Sequence, residues 1–504
     1  MSLPIFDTPL AEPPSLPAPR AASWNPDLEP AIVRAPGTDP LLSRLRRPGA
    51  LVVTTGQQPG LFTGPSYSVT KALSARGLAC ALERRWGRPV VPIFWVPGDD
   101  HDFEEVASVS WLDGEGSLLT ASLAPHPSDA PLTPMSRLPL GGSVAAALDA
   151  FERSLPASYG RDEVVALLRR HYTPGATIAA SYANTLAELL APFGVLCLDS
   201  THQAVKAAAA PLFVRALAEA PALDQLLAAR SAVLVAEGKD PRVPVGDGAT
   251  LVFLDGPLGR DRLMSAEQGF VTRRGRSPLT LAELERIAAA EPTRLSANVL
   301  LRPVVESALL PTVAYVAGPA ELKYLALAGV VYEKLGVSRQ QPVPRWSGLL
   351  VEPRVTRLFA KFGVSVGDFL AEGNALETAI ARRALPPGVM ERLTALREAI
   401  DRGFAPLVNA VEPAQSVDTA RARALFAVER LEKKLLQHAR KREATELAQV
   451  ARARTSVRPA GKPQERVLSM LGFLGRYGPD LLPAVAGHIE VWFGHALEAG
   501  SATP

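Results

Sequence analysis

Directly behind the apolar run Leu51-Val52-Val53-Thr54-Thr55 the chain reads G-Q-Q-P-G-L-F-T-G-P, residues 56 to 65. A buried strand that enters a segment so rich in Gly and Pro continues as an irregular loop. Glycine recurs at every fourth position, at Gly56, Gly60 and Gly64. Pro65 suits the first position of a following helix, where its missing N–H costs nothing. Val69, Leu73, Leu78 and Leu82 then have helical spacing, and Val90-Val91-Pro92-Ile93-Phe94-Trp95-Val96 reads as a second buried strand. Strand, loop, helix and strand make one βαβ unit of a parallel sheet, whose ligands bind outside the carboxyl ends of the strands. A glycine-rich loop that opens a helix at such an end suits an anion, most often phosphate or carboxylate. Gln57, Gln58, Gly60, Thr63 and Gly64 are therefore candidate binding residues. The spacing matches neither G-x-x-x-x-G-K-[ST] nor G-x-G-x-x-G, so the loop leaves its ligand open. Lys71, two turns into the helix, reads as an ordinary surface lysine.

The second strand runs into Gly98-Asp99-Asp100-His101-Asp102-Phe103-Glu104-Glu105, which sets five carboxylates around one imidazole. Crowding of this kind raises some carboxylate pKa values and favours a charged histidine. It can supply a general base, a cation site or a clamp for an ammonium group. The plainer account is an acidic first helical turn; the neighbouring loop tips the reading towards function, with Asp100, His101 and Asp102 as candidate catalytic residues.

A second joint copies the first in outline. Leu309 to Val316 reads as a strand, Gly318-Pro319 as a turn and Ala320 to Leu335 as a helix, with Asn298, Arg302, Tyr315, Glu321 and Lys323 crowding the approach. Between the joints, Gly194-Val195-Leu196-Cys197-Leu198-Asp199 reads as a third buried strand and Gln203 to Ala236 as helical. Thr250 to Gly256 and Arg260 to Met264 read as a small hairpin. The sum is one open parallel sheet that carries insertions between its strands.

The last third changes character. Met390, Leu393, Ile400, Phe404, Leu407 and Val411 advance in steps of three and four residues, as do Ala424, Val428, Leu431 and Leu435. The break Glu412-Pro413-Ala414-Gln415-Ser416 lies between them, so an antiparallel helical hairpin with coiled-coil character is expected, a plausible dimer arm. The basic residues Lys433, Lys434, Arg440, Lys441 and Arg442 read as its solvated face.

The expected domain plan is a lead-in over 1–48, the first half of the core over 49–112, and an insertion, loop-rich then helical, over 113–192. The core continues over 193–236. A second insertion with the hairpin fills 237–295, the second half of the core 296–350, and a helical coiled-coil domain 351–504. Composition limits the rest. With 47% apolar and 21% charged residues and a formal charge of +3, nothing points to nucleic acid or an anionic membrane. No apolar run is long enough to span a bilayer. Met1 to Pro30 lacks the charged-then-apolar plan of a signal peptide, and Cys80 and Cys197 both lie in apolar surroundings, so a cytoplasmic location is expected. The two cysteines and scattered histidines offer no structural zinc spacing.

The loop motif followed by P-I-F-W-V-P-G-D-D-H-D-F-E-E resembles the bacillithiol biosynthesis cysteine-adding enzymes, the cysteine ligase family. V-L-L-R-P-V-V, L-P-T-V-A-Y-V-A-G-P-A-E-L-K-Y and Lys462-Pro463-Gln464-Glu465-Arg466 resemble it too, so that the likeness runs from Leu51 to Pro483. It implies a Rossmann-like open parallel sheet with connecting insertions, an α/β core, joined to a C-terminal α-helical coiled-coil domain that mediates a homodimer. The implied activity joins cysteine to the amine of glucosamine malate, in the last step of bacillithiol synthesis. ATP or another adenine nucleotide is the implied cofactor, with no zinc.

In that setting the backbone of Gln57 to Gly64 would stabilise charge developing on phosphate. Asp100, His101 and Asp102 would take a proton or orient an ammonium. Asn298, Arg302, Tyr315, Gly318 and Glu321 would complete the pocket, with Arg302 on the malate carboxylates. Two other readings stay open: a nucleotidyltransferase or class I synthetase-like enzyme acting on another amine or on RNA, and a non-catalytic nucleotide-binding scaffold whose hairpin carries the function.

Overall fold

The computed structural model describes residues 3–8, 17–127, 129–371, 373–408 and 414–501. The chain divides into two compact units, Met1–Leu349 with Glu465–Pro504, and Leu350–Gln464. The first is built on a five-stranded parallel sheet of β1 (Leu51–Gly56), β2 (Val90–Val96), β3 (Leu196–Asp199), β4 (Thr312–Ala317) and β5 (Gln341–Pro344). Their spatial order is β5-β4-β1-β2-β3. The chain therefore winds outward from β1 through β2 to β3, then returns to place β4 on the other side of β1. That reversal opens a crevice at the carboxyl ends of β1 and β4, where such sheets bind ligands.

All residues of β1, β2 and β4 are buried, which is why these strands read as unbroken apolar runs. Pro92 is tolerated inside β2 because β3 pairs with β2 only from Ile93 onward. Sequence reasoning passed over β5, whose Gln-Pro-Val-Pro lacks a strand signature; two prolines are acceptable there because β5 is an edge. Leu309, expected in β4, instead ends the helix Arg302–Leu309, and β4 begins at Thr312.

Helix α1 (Tyr67–Trp86) links β1 to β2. The first insertion, between β2 and β3, holds the hairpin Ser108–Leu112 with Leu118–Ser122, then helices Ser143–Ser154, Tyr159–His171 and Ile178–Leu190. After β3 come α2 (Gln203–Ala218) and the helix Ala220–Ala236; the continuous helix expected there breaks at Glu219, ahead of Pro221. The expected small hairpin belongs to a larger antiparallel sheet. Ala249–Gly256 and Gly259–Ala266 form its centre, flanked by Leu295–Ala297 on one side and by Gly269–Thr272 and Pro278–Leu279 on the other. Helix α3 (Arg302–Leu309) leads into β4, and α4 (Pro319–Lys334) leads from β4 to β5.

The sequence reading keeps 351–504 together, but the chain from Glu465 onward packs with the first unit. Helix Leu481–Ser501 lies against α1 so closely that a Cβ on Gly77 would stand 3.0 Å from the Phe493 ring and 3.2 Å from the Ile489 carbonyl oxygen. Val485, Ile489 and Phe493 are fully buried.

In the second unit, helices Val389–Val408 and Ala414–Arg442 run antiparallel: Asp401 pairs with Arg421, and Arg397 with Glu432. Leu393, Val428, Leu436 and Ala439 are buried, whereas Leu407 and Leu431, expected on the apolar seam, are 44% and 46% exposed. The charged Glu432 takes the seam position beside Leu431 and holds both Arg382 and Arg397. Val411 and the break residues Glu412 and Pro413 lie outside the described residues.

Candidate functional site

The five strands of the parallel sheet deliver their carboxyl ends to one cavity of about 640 Å³. β1 supplies Gly56, Gln57 and Gln58, β2 supplies Pro97, Asp99 and Asp100, and β3 supplies Ser200. Gly318 and Glu321 come from the end of β4, and Arg345 from the end of β5. Tyr67 and Lys71 of α1, Lys206 of α2, and Phe253, Arg260 and Arg262 of the antiparallel sheet close the walls with Asn298, Arg302 and Tyr324.

Charge is paired across these walls. Lys71 is 1% exposed, and its Nζ lies 2.5 Å from Glu321 Oε2 and 2.5 Å from the Gly56 carbonyl oxygen. Burial lowers the Lys71 ammonium, against the pull of Glu321. Burial alone would raise Glu321; Lys71 and Arg302 outweigh it and hold this carboxylate below its ordinary value. Arg302 donates from Nη1 to Glu306 Oε2 at 3.2 Å and from Nη2 to the hydroxyls of Tyr315 at 3.1 Å and Tyr324 at 3.2 Å. Tyr315 in turn donates to Glu321 at 2.7 Å. Lys206 binds both carboxylate oxygens of Asp99, at 2.7 and 2.6 Å, and the Leu295 carbonyl at 2.9 Å. Arg345 holds Glu465 at 2.7 and 2.5 Å.

Glu306 is fully buried against Arg302 and the Thr54 hydroxyl. Burial pushes its carboxyl up to about 7, with Arg302 and Thr54 pulling the other way. A carboxyl with a raised folded value holds its proton more tightly folded than unfolded. Its contribution to stability is therefore complete below the ordinary value of 4.5 and is lost as pH rises through about 7. Denaturant unfolding at about pH 5 and about pH 8 tests this. The wild type should lose on the order of 3 kcal/mol more than Glu306→Gln over that interval. Equal losses in both proteins would remove the assignment.

Of the residues singled out from sequence, Gln57, Gln58, Asp100, Asn298, Arg302, Tyr315, Gly318 and Glu321 line the cavity. Gln58 Nε2 donates to Asp100 Oδ2, which ties the loop to the acidic run. Asp100 Oδ1 also accepts the His101 backbone N–H at 2.7 Å. Asn298 Oδ1 accepts the backbone N–H groups of Leu300 and Leu301 at 3.0 and 2.9 Å.

Gly60, Thr63 and Gly64 are buried away from the cavity. Phe62 and Thr63 take left-handed backbone angles, φ 47° and 67°, and Gly64 follows at 66°. This strained turn is pinned from behind. The Tyr172 hydroxyl accepts the Thr63 N–H at 3.1 Å and donates to the Gly60 carbonyl at 3.2 Å, while the Phe62 ring meets Tyr172 edge-on at 5.1 Å. The glycine recurrence thus serves backbone packing. A Cβ on Gly56 would stand 2.6 Å from the Trp95 carbonyl oxygen, and one on Gly60 would stand 3.1 Å from the Gly64 Cα. At the start of α1 the Ser66 N–H bonds the Leu468 carbonyl at 2.7 Å and the Ser68 N–H bonds the Pro65 carbonyl at 3.0 Å.

Asp102 and His101 also depart from their expected places. Asp102 is exposed and caps the short helix Phe103–Val106. His101 is half-buried, with Nδ1 3.2 Å from Arg260 Nη1. Arginine can only donate, so Nδ1 is the accepting nitrogen and the ring is neutral with its hydrogen on Nε2. Burial, then Arg260, lowers its pKa, opposite to the charged histidine expected. Among the described residues the acidic run converges with no other His, Cys, Asp or Glu into a metal-holding group.

Lys71, read from sequence as an ordinary surface lysine, is instead buried and paired, and Lys206 and Arg260 escaped sequence reasoning, although each carries a signal. The lysines sit in the apolar helical contexts S-V-T-K-A-L and A-V-K-A-A-A-A. Arg260 and Arg262 share one face of a strand by its two-residue period and stack on Phe253, with guanidinium carbons 3.9 and 4.9 Å from the ring centre.

Residues 33–346 match the sequence model described as "Bacillithiol biosynthesis BshC, N-terminal Rossmann-like domain", and residues 348–492 match its "C-terminal coiled-coil domain". Among curated proteins named "Putative cysteine ligase BshC", that of Solibacter usitatus is 33% identical over 463 residues, covering 90% of this chain and 85% of the relative. That of Salinibacter ruber is 32% identical over 457 residues, covering 88% and 81%. That of Symbiobacterium thermophilum is 33% identical over 489 residues, covering 90% and 85%.

Proposed function

The chain belongs to the bacillithiol biosynthesis BshC family, and on that premise we propose that it is a ligase joining the carboxyl of cysteine to the amine of glucosamine malate in the switch-point cavity. The observation that carries the reading is the two-signed lining of that cavity, with Asp99, Asp100 and Glu105 beyond β2 and the cations Arg302, Arg345 and Arg466 among the rest. A zwitterionic amino acid and an amine that bears carboxylates both require walls of two signs.

Amide formation from a free carboxylate requires activation, which an adenine nucleotide supplies. Arg466 fits a phosphate group: it is exposed, lines the cavity and has no carboxylate partner among the described residues. The glycine loop acts indirectly, by fixing Gln57 and Gln58 at the cavity wall. The attacking amine must shed a proton, and Asp100 is placed to take it. The basic nitrogen of His101 is already committed to Arg260, so His101 supports Asp100 rather than acting as the base. The homodimer is part of the proposal, with the exposed apolar residues Leu396, Leu407, Phe426 and Leu431 of the helical hairpin as its supporting feature.

Cysteine labelled with ¹⁸O in its carboxylate tests the activation. Product should form with loss of one label, recovered in AMP for an acyl-adenylate or in inorganic phosphate for an acyl-phosphate. Product formed with neither labelled would exclude nucleotide activation.

A further inference from the structure

Lys71, Lys206, Arg302 and Arg345 each lie within ion-pair distance of a carboxylate, namely Glu321, Asp99, Glu306 and Glu465. Arg260 is 9% exposed, lines the same cavity, and has no carboxylate at that distance among the described residues. Asp99 and Asp100 act on it only from beyond that distance, and a buried charge without a contacting counter-charge is costly. Arg260 is held by neutral groups instead: Nε donates to Ser296 Oγ at 2.9 Å, Nη2 to the Ala297 carbonyl at 2.7 Å, and Nη1 meets His101 Nδ1 at 3.2 Å. A guanidinium carries five N–H donors, so one hydrogen on each terminal nitrogen has no partner among the described residues. Two such donors form the fork that matches a planar carboxylate or a phosphate. Phe253 backs the guanidinium face, and half-buried Arg262 adds a second cation on the same strand face, also without a carboxylate partner among the described residues.

We propose that Arg260, assisted by Arg262, is an oxyanion-binding subsite of the cavity that takes a carboxylate or phosphate group of the substrate. The assignment moves this role from Arg302, whose guanidinium is already engaged by Glu306, Tyr315 and Tyr324. It deepens the ligase reading and rests on it only for the identity of the substrate.

Calorimetric titration of the full-length protein with glucosamine malate, glucosamine and inorganic phosphate tests it in the wild type, Arg260→Gln, Arg260→Lys and Arg262→Gln. Arg260→Gln should bind at least one anion roughly tenfold to a hundredfold more weakly, with glucosamine unchanged. Arg260→Lys, which keeps charge but loses the fork, should fall between. Loss confined to glucosamine malate identifies a carboxylate site, and loss of phosphate identifies a phosphate site. Wild-type affinity for both anions in Arg260→Gln overturns the proposal, as does a wild type that binds neither. If Arg260→Gln fails to fold, unaltered anion binding in both Arg260→Lys and Arg262→Gln overturns it. A wild type that makes no ligation product while Arg260→Gln still loses phosphate binding would keep the subsite and remove the substrate reading.

Discussion

Lys71→Met should destabilise the first unit by about 3–5 kcal/mol, the range for removing one partner of a buried ion pair. The change leaves the Glu321 carboxylate with Arg302 as its remaining cation and strips the Gly56 carbonyl of its bond to Nζ. Gly56 ends β1 and Glu321 opens α4, so Lys71 joins the two sides of the switch point from α1. The penalty arises mostly from the orphaned charge rather than from lost attraction. Lys71→Met combined with Glu321→Gln should therefore recover much of the loss, giving a double-mutant coupling of one to several kcal/mol. Chemical denaturation of the four proteins measures it. A Lys71→Met protein as stable as the wild type would show that the pair carries no structural weight.

Asp100→Asn should lower the ligation rate about 100-fold to 10,000-fold, the range for removing a general base, while leaving the fold intact. The substitution is close to isosteric. Asn keeps an oxygen to accept the His101 N–H, and Gln58 can meet the new amide by turning its own oxygen towards it, while the negative charge and the basicity are lost. His101→Asn should have a smaller effect, because the ring already accepts from Arg260 and is not free to take a proton. Steady-state rates, with unfolding midpoints measured alongside, separate the two roles. Equal losses in the two variants would return His101 to the chemistry, and an unchanged rate in Asp100→Asn would remove its assignment as base.

The sheet was legible where burial made strands continuous: β1, β2, β3 and most of β4 follow from unbroken apolar runs between turn residues. Strand β5 was not, because two prolines hide a strand that only its edge position permits. The site was legible by place rather than by part. Loop and acidic run mark the carboxyl ends of β1 and β2, but the glycines turned out to serve close backbone packing, and the pairing of Lys71 and Lys206 depends on partners 250 and 107 residues away, as Glu321 and Asp99 stand in the numbering. No local pattern encodes such separations. A lysine within an apolar helix face was the available hint. The return of the chain from Glu465 to the first unit was hidden for the same reason, since Gly77 and Phe493 meet only in space.

The proposed joining of cysteine to glucosamine malate in this cavity is open to direct assay. Purified protein incubated with cysteine, glucosamine malate and ATP, with mass detection of the thiol product, tests it most directly. Product should require all three components and fall steeply in Asp100→Asn. A folded wild type that yields no product with all three present would contradict it.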